Sequence, residues 1–195
     1  HGDWQACLGV TIRVPHLSWV AMGGEAKRDY PASIHYQSPW YTKFSYVEDH
    51  FARVNTMLTR GKADIKIGVI HPIESFWINY GPTDKTGVIR EELNSRFEQI
   101  TEWLLFGALD FDFISESLLS KQFGGADKTF KVGEMEYDVI IVPACETIRS
   151  TTLSALQEFT EKGGQVIIVG EIPAAKAATA DWTPPEDVLV IIPHC

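Results

Sequence analysis

Four glutamates stand in short turns that follow apolar runs: Glu74 in His71-Pro72-Ile73-Glu74-Ser75, Glu116 in Ser115-Glu116-Ser117, Glu146 in Ala144-Cys145-Glu146-Thr147, and Glu171 in Gly170-Glu171. Carboxylates in such places can act as acids or bases, or simply cap the next turn. A phosphate site there would want glycine-rich turns and bare helix N-termini. The chain has neither GxGxxG nor a P-loop. FMN and nucleotides are therefore not expected as cofactors, and the acids are expected to cap turns and face solvent or a neighbouring domain. Cys145, beside Glu146, is the one thiol placed like a nucleophile after a strand. A nucleophile elbow wants small neighbours, whereas Glu146-Thr147-Ile148 follow. A close Glu146 would raise the thiol pKa. The expectation is an inert, half-buried cysteine. His16 and His71 are isolated beside prolines, outside any HxH or HExxH pattern, so no metal site is expected.

A second group of candidates lies in residues 16–45. Glu25, Lys27, Arg28 and Asp29 put both charge signs within five residues, and Trp19, Tyr30, Tyr36, Trp40, Tyr41 and Phe44 surround them. Flat apolar faces beside carboxylate and guanidinium groups suit a sugar: rings stack and hydroxyls are hydrogen-bonded. The same residues also suit an ordered loop whose charges pair internally, since Trp and Tyr are common in interfaces. His16, Glu25, Lys27, Arg28, Asp29 and Trp40 are the candidate substrate-binding residues. No catalytic residue is assigned.

These groups need a frame. Residues 7–14 read as a strand that Pro15 ends. Ser45 with Glu48 forms a capping box for a helix carrying Val47, Phe51, Val54 and Leu58, stopped by Gly61. From residue 65 strands and helices alternate: strands over 65–70, 111–114, 137–142, 165–169 and 188–192, with helices over 86–106 and 151–162 and a short one over 118–122. The Val/Ile runs suit strands buried on both faces, as in parallel sheets. Alternation with helices predicts right-handed βαβ units. The expected fold is α/β: a flavodoxin-like, doubly wound parallel sheet of about five strands over 63–195, with any ligand at the strands' C-terminal ends.

The 195 residues, 45% of them hydrophobic, suffice for one good core with an attached piece. A net charge of −9 without a basic cluster denser than Lys27-Arg28 argues against a nucleic-acid partner. No apolar run approaches a membrane span, so no membrane partner is expected. Cys7, Cys145 and Cys195 are odd in number and lack zinc spacing, and are expected as free thiols. Both ends read as cut from something longer.

His16-Leu17-Ser18-Trp19, Gly24-Glu25-Ala26-Lys27-Arg28-Asp29-Tyr30-Pro31, Gln37-Ser38-Pro39-Trp40 and Leu58-Thr59-Arg60-Gly61 together resemble the end of the catalytic barrel in large bacterial glycoside hydrolases of the α-L-rhamnosidase-like kind. In those proteins a flavodoxin-like domain follows the barrel. Ile70-His71-Pro72 and Val142-Pro143 resemble that domain, which is also similar to the trimerisation domain of barrel-type β-galactosidases and to class I glutamine amidotransferase folds. The resemblance implies that residues 1–62 are a strand–loop–helix piece of a (β/α)8 barrel and that 63–195 are a structural or interaction domain. It implies a carbohydrate substrate through the parent enzyme, with the 16–45 loop touching sugar, and is compatible with a homo-oligomer. The two catalytic carboxyls such hydrolysis needs would lie before residue 1. Two departures weigh against amidotransferase chemistry. Ala144-Cys145 follows Val142-Pro143 where Gly-Gly is usual, and Gly170-Glu171 occupies the elbow. A Cys145-dependent hydrolase and a non-catalytic ligand-binding module remain the alternatives.

Overall fold

The computed structural model describes all residues except 17, 29, 32, 171–188 and 192–195, with backbone alone at 26, 28 and 189–191. The chain divides into two units, His1–Ala63 and Asp64–Cys195.

In the first unit, α1 (Gly2–Cys7) precedes irregular chain, and short 3-10 turns at Glu25–Arg28 and Tyr41–Lys43 lead to α2 (Phe44–Leu58). The strand expected over 7–14 is absent: Cys7 closes α1, and the residues after it form no ladder. A strand is stable only beside a partner strand, and this unit holds none among its described residues. The amide of Asn55 takes the Thr11 carbonyl at 2.7 Å instead, and the Arg13 guanidinium lies 4.0 Å over the Phe51 ring. Ser45 caps nothing. The Tyr41–Lys43 turn runs directly into α2, so Lys43 holds the N-cap position and Ser45 falls inside the first turn. Ala6 is the unit's only buried apolar side chain among the described residues, whereas Ile12, Val14 and Val20 are 77%, 85% and 97% exposed.

The second unit is α/β. Strands β1 (Ile67–His71) and β2 (Phe111–Ser115) are joined through α3 (Ile73–Ile78) and α4 (Thr83–Phe106). Next come α5 (Glu116–Gln122), β3 (Phe123–Ala126), β4 (Phe130–Val132) and β5 (Met135–Tyr137), then β6 (Val139–Pro143), α6 (Ser150–Glu161), β7 (Gln165–Val169) and the short β8 (Leu189–Ile191). One sheet is parallel throughout, in the order β2-β1-β6-β7-β8, and β3-β4-β5 form a separate antiparallel sheet. The sequence showed no sign of this second sheet. Its strands are three or four residues long, too short for a pattern. The single strand expected over 137–142 is broken at Asp138, whose N–H turns to the Lys66 carbonyl at 2.8 Å.

Alternate β1 residues feed two cores. Val69 meets Ile100 and Leu104 of α4 together with Ile141 and Val169. Ile70 meets Leu119 of α5, Leu156 and Phe159 of α6, and Phe130 of the small sheet. The helices therefore cover both faces. The chain reverses its direction across the sheet after β2, and right-handed crossovers in opposite directions place their helices on opposite faces. Gly68 keeps the middle of β1 bare: a Cβ there would come within 2.6 Å of Ile114 and 2.9 Å of Ile140.

Candidate functional site

The reversal of strand order falls between β1 and β6. In open α/β sheets, the crevice beyond the strand ends at such a point is where ligands enter. Three backbone N–H groups of the β6–α6 connection face this region, and all are taken by side chains of the protein. Ser75 Oγ accepts from Glu146 N at 3.0 Å and Thr147 N at 3.1 Å, and donates to the Thr147 carbonyl at 3.2 Å. Glu116 Oε2 accepts from Arg149 N at 2.9 Å. Asn79 Nδ2 adds a bond to Glu146 Oε2 at 2.9 Å. Arg149 donates through Nε, at 2.7 Å, and Nη2 to Oε1 of Glu74.

Glu116 sits at the head of α6, where an anion is favoured by the unpaired N–H groups and the helix dipole. It is 3% exposed, so the expectation of a solvent-facing acid fails for it, and it caps the distant Arg149 N–H instead of the turn that follows it. Burial pushes its carboxyl above the usual carboxylate range, and nearby Glu74 adds to this. The Arg149 N–H and guanidinium and the Thr152 hydroxyl oppose it. Ser75, at 1% exposed, was not singled out by sequence reasoning. A serine three residues after a strand-ending His-Pro carried no signal, because its partners lie 71 and 72 positions away. The expected role of Glu146 against the thiol passes to Glu116. Burial first, and the Glu116 charge second, push the half-buried Cys145 thiol up to about 12. Such a thiol is a poor nucleophile, because the thiolate is the attacking species. At the end of β7, Gly170 adopts φ +112, and a Cβ there would approach Ala144 to 2.7 Å. Glu171 lies outside the described residues.

Two hollows flank this edge. One of about 210 Å³ is lined by His71, Pro72, Ile73, Phe76, Leu93, Asn94 and Phe97. The other, about 300 Å³, is lined by Ile89, Glu92, Leu93, Arg96, Ala144, Cys145 and Glu146. It is the more charged, though its arginine is paired with Glu92. His71 packs its ring 5.2 Å from Phe97 and 6.2 Å from Phe113, and loss of water lowers its pKa.

The residues expected to touch sugar lie in the first unit. His16 is exposed and meets Tyr30 edge-on at 6.1 Å. Glu25, Lys27 and Arg28 share the Glu25–Arg28 turn, where the Lys27 ammonium caps the Gly23 carbonyl. Trp40 is 54% exposed just before α2. The side chain of Arg28 and all of Asp29 lie outside the described residues. Among the described residues, no group of three His, Cys, Asp or Glu is placed to hold a metal ion, and no helix is long and apolar enough to cross a membrane. No family model, curated protein or solved structure matches the chain.

Proposed function

We propose that the second unit is a flavodoxin-like domain with a structural or interaction role in a glycoside hydrolase, and that the 16–45 loop contributes sugar contacts in that enzyme. One observation carries the domain's role. The backbone donors that would cradle a phosphate or an oxyanion at the switch point are already satisfied by Ser75 Oγ and the Glu116 carboxylate. An incoming anion would have to displace a buried serine and meet a buried acid. The high pKa of Cys145 supports the same reading against a thiol-dependent hydrolase. For the loop, support comes from Trp40 and Tyr36, which expose 54% and 60% of their surface in the same 16–45 segment as the charged Glu25–Arg28 turn, and from the resemblance in sequence. That Ala6 is the one buried apolar side chain among the first unit's described residues also suits a segment that completes a larger body.

The test uses the glycosidase that carries this chain. Glu25→Gln is expected to lower kcat/KM on an aryl glycoside at least tenfold, about 1.4 kcal/mol of barrier, with Tm kept. Cys145→Ala is expected to leave the rate unchanged. Wild-type rates in the Glu25 variant would reduce the loop to packing, and loss of activity in Cys145→Ala would overturn the domain's non-catalytic role.

A further inference from the structure

The hollow beside His71 is built unlike the charged one next to it. Pro72, Ile73, Phe76, Leu93 and Phe97 give it apolar walls, and no Lys, Arg, Asp or Glu lines it. Its two polar groups differ in position. Asn94 stands at the exposed rim, its amide nitrogen donating to Glu98 at 2.9 Å. His71, at the end of β1, packs against the Phe97 and Phe113 rings, which also touch each other. Its ring nitrogens make no hydrogen bond with any described residue. A half-buried imidazole packed against aromatic rings, with no partner for its nitrogens among the described residues, can serve as a polar anchor, since small-molecule sites are mostly apolar with few, well-placed polar groups.

We propose that this hollow binds a small neutral molecule consisting of one aromatic ring bearing a hydroxyl, with His71 as its hydrogen-bond partner. Size supports one ring: an apolar cavity of about 150 Å³ takes benzene, and about 210 Å³ leaves room for substituents. Charge is excluded by the lack of a counter-ion in the walls. A monosaccharide is disfavoured because one imidazole and one rim amide cannot satisfy its hydroxyls, and each unpaired hydroxyl loses its water. Phe76 and Phe97 offer ring faces and edges for stacking, and neutral His71 can either donate to or accept from the ligand's hydroxyl.

The intact chain is titrated with p-cresol, toluene and L-rhamnose while the Ile73 methyl resonances, and the His71 imidazole resonances in chains that keep them, are followed by NMR. p-Cresol is expected to saturate with a Kd of about 1 mM or tighter, and toluene to bind at least about tenfold more weakly. His71→Phe is expected to erase that difference while toluene still binds. Leu93→Trp, which fills the hollow, is expected to abolish binding of both, with dispersed spectra showing that it is folded. If His71→Phe does not fold, the p-cresol-to-toluene ratio in the wild-type chain and the Leu93 variant decide the matter. Equal affinity for p-cresol and toluene, saturation by L-rhamnose at His71, or p-cresol binding retained in folded Leu93→Trp would each overturn the proposal.

Discussion

Glu116 shows how one side chain can serve a helix and burden the fold at once. Its carboxylate satisfies the Arg149 N–H at the head of α6, yet it is shut away from water. The unfolded chain gives this carboxyl its ordinary value of 4.5, and the folded protein holds it higher. The folded protein therefore keeps the proton to higher pH than the unfolded chain does. The stability linked to this group is full below the unfolded value and is lost as pH rises through the folded one. Urea unfolding between roughly pH 4 and pH 8 should show this decline in the wild type and a flatter profile in Glu116→Gln. The glutamine oxygen can still accept from Arg149 N, and its amide can turn to the buried Thr152 hydroxyl. The neutral replacement is therefore expected to cost less than about 1 kcal/mol near pH 7, or to stabilise. Glu116→Ala should cost about 2–3 kcal/mol, because it strands the Arg149 N–H and leaves a void. A steeper pH profile in the glutamine variant would contradict this account.

At the level of elements, the end of α4 departs from the simplest reading of its sequence. Gly107 looks like the left-handed stop, but it keeps helical geometry, and the residue at positive φ is Ala108, at 53°. Two closing bonds are present, Ala108 N to Leu105 O at 3.1 Å and Leu109 N to Leu104 O at 3.0 Å. A Cβ at Gly107 would meet the Trp103 carbonyl oxygen at 2.8 Å, so the glycine serves close approach, not handedness. Ala108→Gly is expected to raise stability by about 0.5–1 kcal/mol, read as a higher urea midpoint with unchanged slope. An unchanged or lower midpoint would mean that the left-handed alanine costs nothing. The parallel sheet could be read from the sequence because β1, β6 and β7 are rich in Val and Ile and the helices between strands carry long-period apolar faces. β7 keeps the expected bounds, 165–169. The misread elements are those whose conformation depends on partners. Residues 8–14 found no strand to pair with, and the β3-β4-β5 sheet is held by Phe130, which lies 5.0 Å from Phe123 and 5.4 Å from Phe159. The switch-point site was half readable. Its acids and Cys145 stand beside their strands in the sequence, whereas Ser75 gains its role only when distant connections meet.

Across the whole molecule, the two units differ in how much apolar surface they bury. The second has cores on both faces of its sheet, while the first buries Ala6 alone among its described apolar residues. A body of about 60 residues needs most of its apolar surface hidden to be stable. Hydrogen exchange of the intact chain is expected to show the amides of residues 1–63 exchanging much faster than those of β1, β6 and β7, and equal protection in both units would refute that division. Within the second unit, the bonds of Ser75 have a consequence for time as well as shape. The hydroxyl joins α3, which leads to α4 on one face, to the connection that enters α6 on the other. The amides of Glu146 and Thr147 are shielded while that bridge holds, so their exchange reports on it. Ser75 is thus expected to tie a sandwich that could open leaf by leaf into one cooperative unit, with these two amides exchanging at the rate of its slowest, global opening.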